Sequence, residues 1–506
     1  MKLAELLRGV PGLENAAPID VEIASLAYDS RRVEPGSLFF AIQGDKADGH
    51  RFIPAALERG AVAIASERPA PAELAFRWVH VHNIRRALSA AARAFYGRPE
   101  ARLKLVGITG TNGKTTTAYL LESILQAADI PCGVFGTIEH RFGGRVLPAL
   151  NTTPESLDLI SYFAELVESG GRAAVMEVSS HALAQERIWG FPFSAAVFTN
   201  LTQDHLDYHK DFEHYFQAKR RLFEGLGTPP PELAVVNLDD PWGARLLVLG
   251  SLRSITYGVN SSAQVKVKQS SQTPEGTCAT LLTPQGPIEI TSPLLGRANL
   301  MNILAATATA VGLGIGSEKI AEGIAALRVV PGRLERVDEG QPFLVLVDYA
   351  HTDDALRNVL STARGLARNR LIVVFGCGGD RDRAKRPLMG EAAGSLSDLA
   401  VLTSDNPRSE DPLRIMSDAL VGLQKTGKHY LAEVDREVAI RKALDQAREG
   451  DVVVLAGKGH ETYQVLKDRT IPFDDRQVAR RILRELGWRK NKKSEGRNQK
   501  KPVSSA

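Results

Sequence analysis

Residues 103–117 read LKLVGITGTNGKTTT, in which an apolar run suited to a β-strand leads into a glycine-rich loop that ends in Lys114-Thr115. A segment compatible with a helix, TTAYLLESILQAA, follows at residues 116–128. A strand, a glycine-rich loop, Lys-Thr and a helix in this order are typical of loops that bind nucleoside triphosphates. Glycines let backbone N–H groups turn inward around phosphate oxygens, and the helix N-terminus adds positive potential. The stretch therefore predicts ATP binding within an α/β fold.

The loop itself supplies the candidate ATP-binding residues. Lys114 offers a positive charge to the β- and γ-phosphates, and the Thr115 hydroxyl can coordinate Mg²⁺. The spacing is GxxGxxGK, so that Ile108 stands where the standard pattern has its first glycine. Contacts to the nucleotide are predicted for Gly110, Thr111, Asn112, Gly113, Lys114, Thr115 and Thr116.

Strand-like and helix-like segments alternate on both sides of this loop. After it come CGVFGTI, LDLISYFAELVES, RAAVMEVSS and SAAVFTNLT, which favour a parallel sheet with crossover helices. From residue 261 to about residue 293, segments of period two such as QVKVK and PIEIT predict antiparallel strands. Alternation then resumes with FLVLVDYA, and a smaller α/β segment precedes the loop. The pattern predicts three α/β domains, at residues 1–98, 99–333 and 334–488.

Composition limits the classes of protein to which the chain can belong. Its 506 residues are 43% hydrophobic and 24% charged, as is typical of globular proteins. The net charge of +4 comes from a basic tail at residues 489–506, which carries +6 and is predicted to be disordered, so that residues 1–488 carry −2. This distribution argues against a nucleic-acid-binding surface, and the sequence has no run of 18 apolar residues. Three widely spaced cysteines without a CxxC pair fit a reducing compartment, and we expect a cytoplasmic monomer with no nucleic-acid or membrane partner.

Three polar clusters follow apolar strands of the central region, namely NTTP at residues 151–154, EVSSH at residues 177–181 and TNLTQDHLDYH at residues 199–209. Open parallel sheets place ligand-binding groups just beyond the carboxyl ends of their strands. Glu177 either holds Mg²⁺ near the phosphates or simply faces water. The run of acids and histidines at residues 204–209 either holds a metal or caps a helix. Taken alone, the clusters leave these alternatives open.

Ten motifs occur in a fixed order along the chain: GITGTNGKTTT, NTTP, MEVSSHAL, FTNLTQDHLDYH, AKRRLF, GRANLMN, PGRLERV, DYAHTDDAL, DNPR and AGKGHE. This series resembles that of the Mur ligases, the ATP-dependent amide-bond enzymes of peptidoglycan synthesis. The resemblance extends from Asp29-Ser30-Arg31 to about Asp475. It implies ATP and Mg²⁺ as cofactors, and UDP-N-acetylmuramoyl-L-alanyl-D-glutamate and meso-2,6-diaminopimelate as the molecules that are joined.

The resemblance further implies a small N-terminal domain for the UDP group, a central P-loop ATPase domain, and a Rossmann-like C-terminal domain for the incoming amino acid. It implies contacts to the uridine and pyrophosphate from Ser30, Asp45, Lys46 and Ala47. It implies contacts to the muramoyl dipeptide from Asn151, Thr152, Thr153, Ser179 and Arg187. For the nucleotide it adds Asn299, Asn302, Arg333, Asp348 and His351.

The implied reaction passes through an acyl phosphate, because the D-glutamyl γ-carboxylate takes the γ-phosphoryl group of ATP before an amine displaces phosphate. Both reactants of the first step are anionic, so positioning and charge neutralisation should supply most of the acceleration. Lys219 matches a lysine that these ligases carry as a carbamate, an oxygen-bearing anion able to hold a second Mg²⁺. The implied catalytic residues are Lys114, Glu177, His205 and Lys219, and the implied Mg²⁺ ligands are Thr115, Glu177, His205 and carbamylated Lys219.

The choice of amino acid is implied by the DNPR segment at residues 405–408. Meso-diaminopimelate differs from lysine by a distal carboxylate, and a guanidinium group pairs with a carboxylate through two hydrogen bonds. Arg408 therefore predicts selectivity for diaminopimelate, and the alternative is an arginine that caps a turn or lies on the surface. Further implied contacts come from Asp405, Asn406, Pro407, Arg381, which would bind a carboxylate, Gly457, and Glu461, which would bind the distal ammonium.

Two departures from the family pattern put the local backbone shape in doubt, because the family usually has Pro where this chain has Asp353 and Gly where it has Ala384. A lysine-adding homologue and folylpolyglutamate synthase share the loop and the acyl-phosphate chemistry. DNPR disfavours the first of these, while the DSR and NTTP segments disfavour the second. A P-loop regulatory or motor ATPase would explain Lys114 but not the polar loops of the third domain.

Overall fold

Three main sheets follow one another along the chain, one in each predicted α/β segment. The computed structural model describes residues 1–16, 21–44, 47–247, 252–259, 262–273 and 275–489. Asp45 and Lys46, two of the predicted UDP contacts, lie outside the described residues, as do residues 490–506 of the predicted disordered tail. The expectation of an α/β fold with three sheets is confirmed.

The first sheet belongs to the N-terminal region. Its strands are β1 (Leu13–Ala16), β2 (Ser25–Ala27), β3 (Ser37–Phe40), β4 (Ala61–Ser66) and β5 (Trp78–Val81), and the helices are α1 (Leu3–Leu7), α2 (Ile53–Glu58) and α3 (Ile84–Phe95). The strand order is β1-β5-β4-β3-β2, and β1 runs antiparallel to β5 while the other pairs are parallel. Short 3₁₀ helices lie at Ser30–Arg32, Gly49–Phe52, Ala72–Arg77 and Pro99–Arg102. The predicted helix NIRRALSAAARAFYG corresponds to α3, where the Asn83 side chain accepts a hydrogen bond from Arg86 N as an N-cap.

The central sheet carries the phosphate loop. Its strands are β6 (Lys104–Thr109), β7 (Cys132–Phe135), β8 (Glu139–Phe142), β9 (Arg145–Pro148), β10 (Ala173–Glu177), β11 (Phe193–Phe198), β12 (Leu233–Asn237), β13 (Ser254–Gly258), β14 (Val265–Thr273), β15 (Gly276–Thr283) and β16 (Gly286–Ser292). The helices are α4 (Lys114–Ala127), α5 (Ser156–Glu168), α6 (Ser180–Ala184), α7 (Leu206–His209), α8 (Phe212–Glu224), α9 (Pro241–Leu247), α10 (Arg297–Gly312) and α11 (Ser317–Ala326). The strand order is β16-β15-β14-β13-β12-β11-β6-β10-β7-β8-β9, with parallel pairing from β7 to β14 and antiparallel hairpins at both edges. The predicted antiparallel strands after residue 261 are confirmed as β14 to β16, although β14 also pairs in parallel with β13.

The third sheet is Rossmann-like. Its region contains β17 (Glu335–Val337), β18 (Leu344–Asp348), β19 (Leu371–Cys377), β20 (Leu399–Ser404), β21 (Tyr430–Ala432), β22 (Val452–Ala456), β23 (Tyr463–Val465) and β24 (Thr470–Pro472). The helices are α12 (Asp353–Leu366), α13 (Lys385–Leu396), α14 (Pro412–Lys425), α15 (Arg436–Gln446) and α16 (Asp475–Glu485). The main order is β17-β18-β22-β19-β20-β21, in which β17 is antiparallel, and β23 and β24 form a separate antiparallel pair.

The strand order brings the polar clusters together. Strand β6 lies between β10 and β11, and the register places Glu177 beside Ile108 and Phe198 beside Thr109. Neighbouring parallel strands therefore deliver the phosphate loop, Glu177 and Thr199 to one edge of the sheet. In the third sheet, the loops after β20 and β22 carry residues 405–408 and 457–461. Among the described helices, none combines the length and apolar character that a bilayer crossing requires.

Candidate active site

The phosphate loop is closely packed at its glycines. Gly110 and Gly113 have φ of +149° and +89°, conformations that L side chains rarely adopt. A Cβ on Gly110 would lie 1.9 Å from Thr199 Oγ1, and one on Gly113 would lie 2.4 Å from Asn302 Oδ1. The Lys114 ammonium folds back into the loop and donates hydrogen bonds to Gly110 O at 2.9 Å and Thr111 O at 2.8 Å. Only glycine fits these two positions, so the loop backbone is preset for an anion.

Glu177 forms a compact oxygen cluster beside the loop. Its buried carboxylate accepts hydrogen bonds from Thr115 Oγ1 and Thr137 Oγ1, both at 3.0 Å, and from Thr137 N at 2.9 Å. A carboxylate and hydroxyl groups are the oxygen donors that suit Mg²⁺, so Thr115 and Glu177 fit the ion. The described part of the chain holds no group of three or more His, Cys, Asp or Glu arranged to hold a metal. Thr137 was absent from the predicted site because no local sequence pattern marks it.

Two lysines converge on one carbonyl oxygen. Lys219, on α8, donates to Gly110 O at 2.9 Å, the same oxygen that Lys114 contacts. Burial lowers the pKa of Lys114, and burial together with the nearby Lys114 charge lowers the pKa of Lys219 well below its ordinary value. The Lys219 ammonium also lies 4.3 Å from the centre of the Tyr215 ring. This arrangement favours a neutral amine at Lys219.

His205 precedes α7 with a left-handed backbone, φ 55°, and lines the cleft next to the loop. Its Nε2 lies 3.4 Å from Asp204 Oδ2, and its ring lies edge-on to His181 at 4.8 Å between ring centres. The helix-capping alternative does not apply to His205, whose side chain makes no capping hydrogen bond to α7. His205 is thus available to the cleft.

A pocket lies between the phosphate loop and the third sheet. Arg333 Nη2 donates to Thr115 Oγ1 at 3.3 Å, and its guanidinium stacks 4.9 Å from the Tyr349 ring centre. Asn112 Nδ2 donates to Asp354 Oδ2 at 3.0 Å across the same junction, a contact that the sequence does not predict. Predicted nucleotide contacts that line this pocket are Asn112, Gly113, Thr115, Thr116, Asn299, Asn302, Arg333 and Asp348. His351, which was predicted with them, lines the neighbouring central cleft instead.

The central cleft joins the second and third sheets. Predicted residues that line it are Asn151, Thr152, Thr153, Ser179, Arg187, His205, His351, Arg381, Asp405, Asn406, Arg408, Gly457 and Glu461. Thr153 fixes the side of the cleft that the second region forms, because Thr153 Oγ1 donates to Glu177 O at 2.8 Å and accepts from Ser179 N at 3.0 Å. Arg187 Nη1 donates to Thr153 O at 2.8 Å. Pro407, between Asn406 and Arg408 in the chain, is buried. It is not among the described residues that line the cleft.

The opposite side of the cleft is built from two loops of the third sheet, those after β20 and β22. Arg408 has φ 53°, and its Nη1 donates to Gly379 O at 2.7 Å. Asn406 Nδ2 donates to Glu461 Oε2 at 2.8 Å. Lys458, whose role the sequence does not predict, is fully buried and lies 3.1 Å from Glu461 and 3.4 Å from Asp405. Its position between two glycines in AGKGHE is the one local signal that could have singled it out.

A separate pocket opens at the first sheet. Ser30 and Ala47 line it, together with Tyr28. Gln185 and Arg187 line both this pocket and the central cleft, so that these two residues connect them. The predicted neighbours Asp45 and Lys46 lie outside the described residues.

The two departures from the family pattern leave the local backbone intact. Asp353 is the first residue of α12, after the N-cap Thr352, and both acids and proline are favoured there. Ala384 precedes α13 with φ −65° and ψ −25°, an ordinary right-handed conformation that needs no glycine. Neither departure disturbs the loops beside the cleft.

Sequence profiles of one family match three successive parts of the chain. "Mur ligase family, catalytic domain" matches residues 22–96, "Mur ligase middle domain" matches residues 108–310, and "Mur ligase, glutamate ligase domain" matches residues 332–459. The three matches correspond in order to the three main sheets.

Similarity to individual proteins extends over nearly the whole chain. A curated relative, the UDP-N-acetylmuramoyl-L-alanyl-D-glutamate–2,6-diaminopimelate ligase of Solibacter usitatus, is 57% identical, with 96% of this chain and 99% of the relative covered. The protein of the same name from Geobacter metallireducens is 48% identical, with 96% and 99% covered. A solved structure of a ligase of that name superposes with a TM-score of 0.68 at 33% identity, with 96% and 99% covered. With its site geometry and these matches, the chain belongs to the Mur ligase family.

Proposed function

We propose that the protein is an ATP-dependent ligase that joins meso-2,6-diaminopimelate to the D-glutamyl γ-carboxylate of UDP-N-acetylmuramoyl-L-alanyl-D-glutamate in peptidoglycan synthesis. The observation that carries this proposal is the central cleft, which unites Thr152 and Ser179 of the second sheet with Arg408 and Glu461 of the third. A ligase needs both of its substrates in one cavity next to ATP. The names of the similar proteins point to the same pair of substrates.

The three regions take different substrates in this proposal. Residues 1–98 bind the UDP group through the pocket at Ser30 and Ala47, residues 99–333 bind ATP, and residues 334–488 bind the amino acid. Arg187 supports a continuous path from the UDP pocket to the cleft, since it lines both. We also propose a monomer and a cytoplasmic location, which nucleotide-linked substrates fit. The net charge of −2 on residues 1–488 supports the absence of a nucleic-acid partner.

The first chemical step activates the acid. A γ-carboxylate oxygen attacks the γ-phosphorus of ATP, the bond to the bridging oxygen breaks, and ADP leaves with that electron pair. Lys114 and the loop N–H groups stabilise the charge on the phosphates, while Arg333 approaches from the end of the central region, where it meets the third region. Thr115 and Glu177 would hold Mg²⁺, which when bound would neutralise negative charge on the β- and γ-phosphates.

The second step forms the amide. The neutral amine attacks the acyl carbon, the tetrahedral intermediate expels orthophosphate, and the nitrogen gives up a proton. Asp405, Asn406, Gly457 and Glu461 are proposed to orient the amino acid for this attack. The cleft position of His205 and His351 supports a role beside the reacting carboxylate and not at the adenine.

Lys219 is proposed to act as a carbamate. An unprotonated amine attacks CO₂ and releases one proton, which leaves an anion on the side chain. The buried amine of Lys219 shares the Gly110 carbonyl with Lys114, so two cations there would repel each other. A carbamate on Lys219 is negatively charged and would attract the Lys114 ammonium. Together with His205, it would offer oxygen and nitrogen ligands for a second Mg²⁺.

Arg408 is proposed to select diaminopimelate over lysine. Its guanidinium lines the cleft and is held by Gly379 O, which leaves further N–H groups for a distal carboxylate. Lysine lacks that carboxylate and would leave the arginine unpaired. Sites built around such a group reject the analogue by roughly 10⁴-fold or more.

The test is the release of orthophosphate from ATP, measured with the UDP-dipeptide and with diaminopimelate or lysine. Release should require both the UDP-dipeptide and diaminopimelate, and Arg408→Ala should remove most of the preference over lysine. Arg414→Ala, at an exposed position nearby, serves as the matched control and should behave like the wild type. Phosphate release without any acceptor would contradict the proposed function, whereas equal use of both diamines would contradict only the substrate.

A further inference from the structure

Lys458 is a buried cation beside Asp405 and Glu461, two acidic residues that line the central cleft. Its side chain is 0% exposed, and its Nζ lies 3.4 Å from Asp405 Oδ1, 3.1 Å from Asn406 Oδ1 and 3.1 Å from Glu461 Oε2. Gly457 and Gly459 flank it with φ of +114° and +51°, so the loop turns sharply to carry the ammonium inward. Lys458 is thus in hydrogen-bond range of three groups that are proposed to hold the amino acid.

The hydrogen bonds link these groups into a closed network. Glu461 Oε2 accepts from both Asn406 Nδ2, at 2.8 Å, and Lys458 Nζ. Asn406 Oδ1 accepts from Lys458 Nζ and from Val465 N, at 2.9 Å. Lys458 therefore fixes the orientation of the Asn406 amide and the Glu461 carboxylate at once.

The charges in this network do not cancel. Asp405 and Glu461 with Lys458 carry one net negative charge, which matches a single ammonium group of an incoming amino acid. Burial raises the pKa of Glu461, and the Asp405 charge raises it further, while Lys458 opposes both effects. Burial also opposes ionisation of Asp405, yet the charge of Lys458 and then that of Arg436 keep its pKa below the ordinary value. Titratable or charged groups that face Glu461 are Asp405, Lys458, Arg436, Tyr349 and Tyr463.

We infer that Lys458 is a positioning residue of the amino-acid pocket, which fixes Asn406 and Glu461 and keeps the Glu461 carboxylate charged for the ammonium of the substrate. The inference rests on the proposed function, because it assumes that an amino acid binds on this side of the cleft. Lys458 itself does not touch the reacting atoms. Its effect on binding acts through Glu461.

The first test replaces Lys458 by methionine, which has a similar length and no charge. Without the ammonium, the pKa of Glu461 rises further, and the carboxylate loses part of its charge and of its attraction for the substrate. The KM for diaminopimelate should rise about tenfold at pH 7 and fall back toward the wild-type value as the pH rises. The KM values for ATP and the UDP-dipeptide should stay within about twofold of the wild type. Lys442→Met removes a lysine from an exposed ion pair of the same region and should change none of these values.

The second test combines Lys458→Met with Glu461→Gln. Because glutamine does not ionise, the double variant should have the same KM for diaminopimelate as Glu461→Gln alone, within about twofold, and no pH dependence of the kind described above. Lys458→Gln, which keeps a hydrogen-bond donor but no charge, is the substitute if the methionine variant does not fold. Lys458→Arg keeps the charge and should keep the KM independent of pH over the same range.

Three results would overturn the inference. These are an unchanged KM for diaminopimelate in both neutral variants, an equal rise of all three KM values, or a further large rise when Lys458→Met is added to Glu461→Gln. The wild-type assay decides the proposed function separately. If the wild type uses a different amino acid, the KM for that amino acid becomes the readout and the test of Lys458 stands.

Discussion

The junction between the first and second regions differs from the junction between the second and third. At the first junction, one apolar cluster runs without interruption from Leu6 and Leu88 to Phe163 and Phe191. At the second junction, the apolar clusters of the third region contain no residue of the central region within the described chain. One junction is a shared core, and the other is a polar contact.

Ion pairs reinforce this difference. At the first junction, Glu186 accepts hydrogen bonds from Arg86 Nε at 2.6 Å, Arg86 Nη2 at 2.8 Å and Asn83 Nδ2 at 3.1 Å, and it also pairs with Arg221. Asp158 accepts from Arg32 Nη1 at 2.8 Å and from the Tyr28 hydroxyl. The second junction has the Asn112–Asp354 hydrogen bond beside the nucleotide pocket, and next to it Arg333, the last residue of the central region, donates to Thr115.

The two junctions differ in how much relative motion of the regions they permit. A shared apolar core makes the first two regions one cooperative unit, whereas a small polar interface permits relative motion of domains. The proposed sites for ATP and the amino acid lie at the second junction, and the proposed UDP pocket lies at the first. We therefore expect the UDP substrate to bind a fixed site and the chemistry to depend on how the third region approaches.

The largest effect is expected for Lys114→Ala, which should impair catalysis at the phosphate loop but not binding of the UDP-dipeptide at the first junction. Loss of the loop cation should lower kcat by on the order of 10³-fold or more, because charge on the transferring phosphoryl group is then unopposed. Binding of the UDP-dipeptide at the first junction should stay largely intact, as calorimetry can measure. Lys104→Ala, at the exposed start of β6, the strand that leads into the loop, is the control and should keep full activity. Near-normal turnover in Lys114→Ala would contradict the assignment of the loop.

Glu186→Gln breaks the ion-pair network of the first junction. The free energy of unfolding of the unit formed by the first two regions should fall by about 1–2 kcal/mol, because Arg86 and Arg221 lose their charged partner. Glu213→Gln removes an exposed ion pair with Arg245 and should cost about 0–1 kcal/mol. Denaturant unfolding followed by tryptophan fluorescence measures both variants. Equal losses of unfolding free energy in the two variants would show that the Glu186 network stabilises the fold no more than an exposed ion pair does.

The pH dependence of the stability difference between the wild type and Glu186→Gln gives a second test. Hydrogen bonds from Arg86, and then from Arg221, hold the pKa of Glu186 below its ordinary value of 4.5. A lowered native pKa stabilises the fold above the unfolded pKa, and the stabilisation is lost as the pH falls through the native pKa. The stability difference between the wild type and Glu186→Gln should therefore be constant near neutral pH and shrink below about pH 4.5. A difference that grows in acid would contradict the assigned ion pair.

Asp354→Ala tests the second junction. Asn112 loses its partner across the junction, so the KM for ATP should rise by about threefold to tenfold, as expected for one hydrogen bond. The unfolding of the first two regions should not change. Asp353→Ala removes the neighbouring carboxylate without touching Asn112 and is the matched control, with an unchanged KM for ATP. A destabilised first unit in Asp354→Ala would contradict the separation of the junctions.

The smallest effect is expected for Asp353→Pro, which restores the usual family residue. The first helical position tolerates proline, and the preceding Thr352 has φ −121° and ψ 160°, the extended conformation that a following proline requires. The free energy of unfolding should change by less than about 0.5 kcal/mol. A loss of several kcal/mol in thermal or denaturant unfolding would show that the start of α12 is not as described.

Local patterns predicted the fold better than they predicted the site. The loop at residues 110–116 and the alternation of strands and helices are short-range signals, because hydrophobic period and glycine spacing act within a few residues. The networks of Glu186 and Lys458, in contrast, join residues about 100 and about 50 positions apart, so only the packed domains reveal them. The same limit applies to His351, whose motif gave its place in the chain but not the cavity that it lines. Family membership disfavours the regulatory ATPase alternative, which explained the loop alone.

The most direct measurement is the product formed when the protein receives ATP, the UDP-dipeptide and equal concentrations of meso-diaminopimelate and lysine. Mass spectrometry should find the diaminopimelate-containing UDP-tripeptide almost exclusively, with one orthophosphate released for each molecule of product. A mixture of both tripeptides in similar amounts, or orthophosphate released without any tripeptide, would contradict an ATP-driven ligase that selects its amino acid through Arg408.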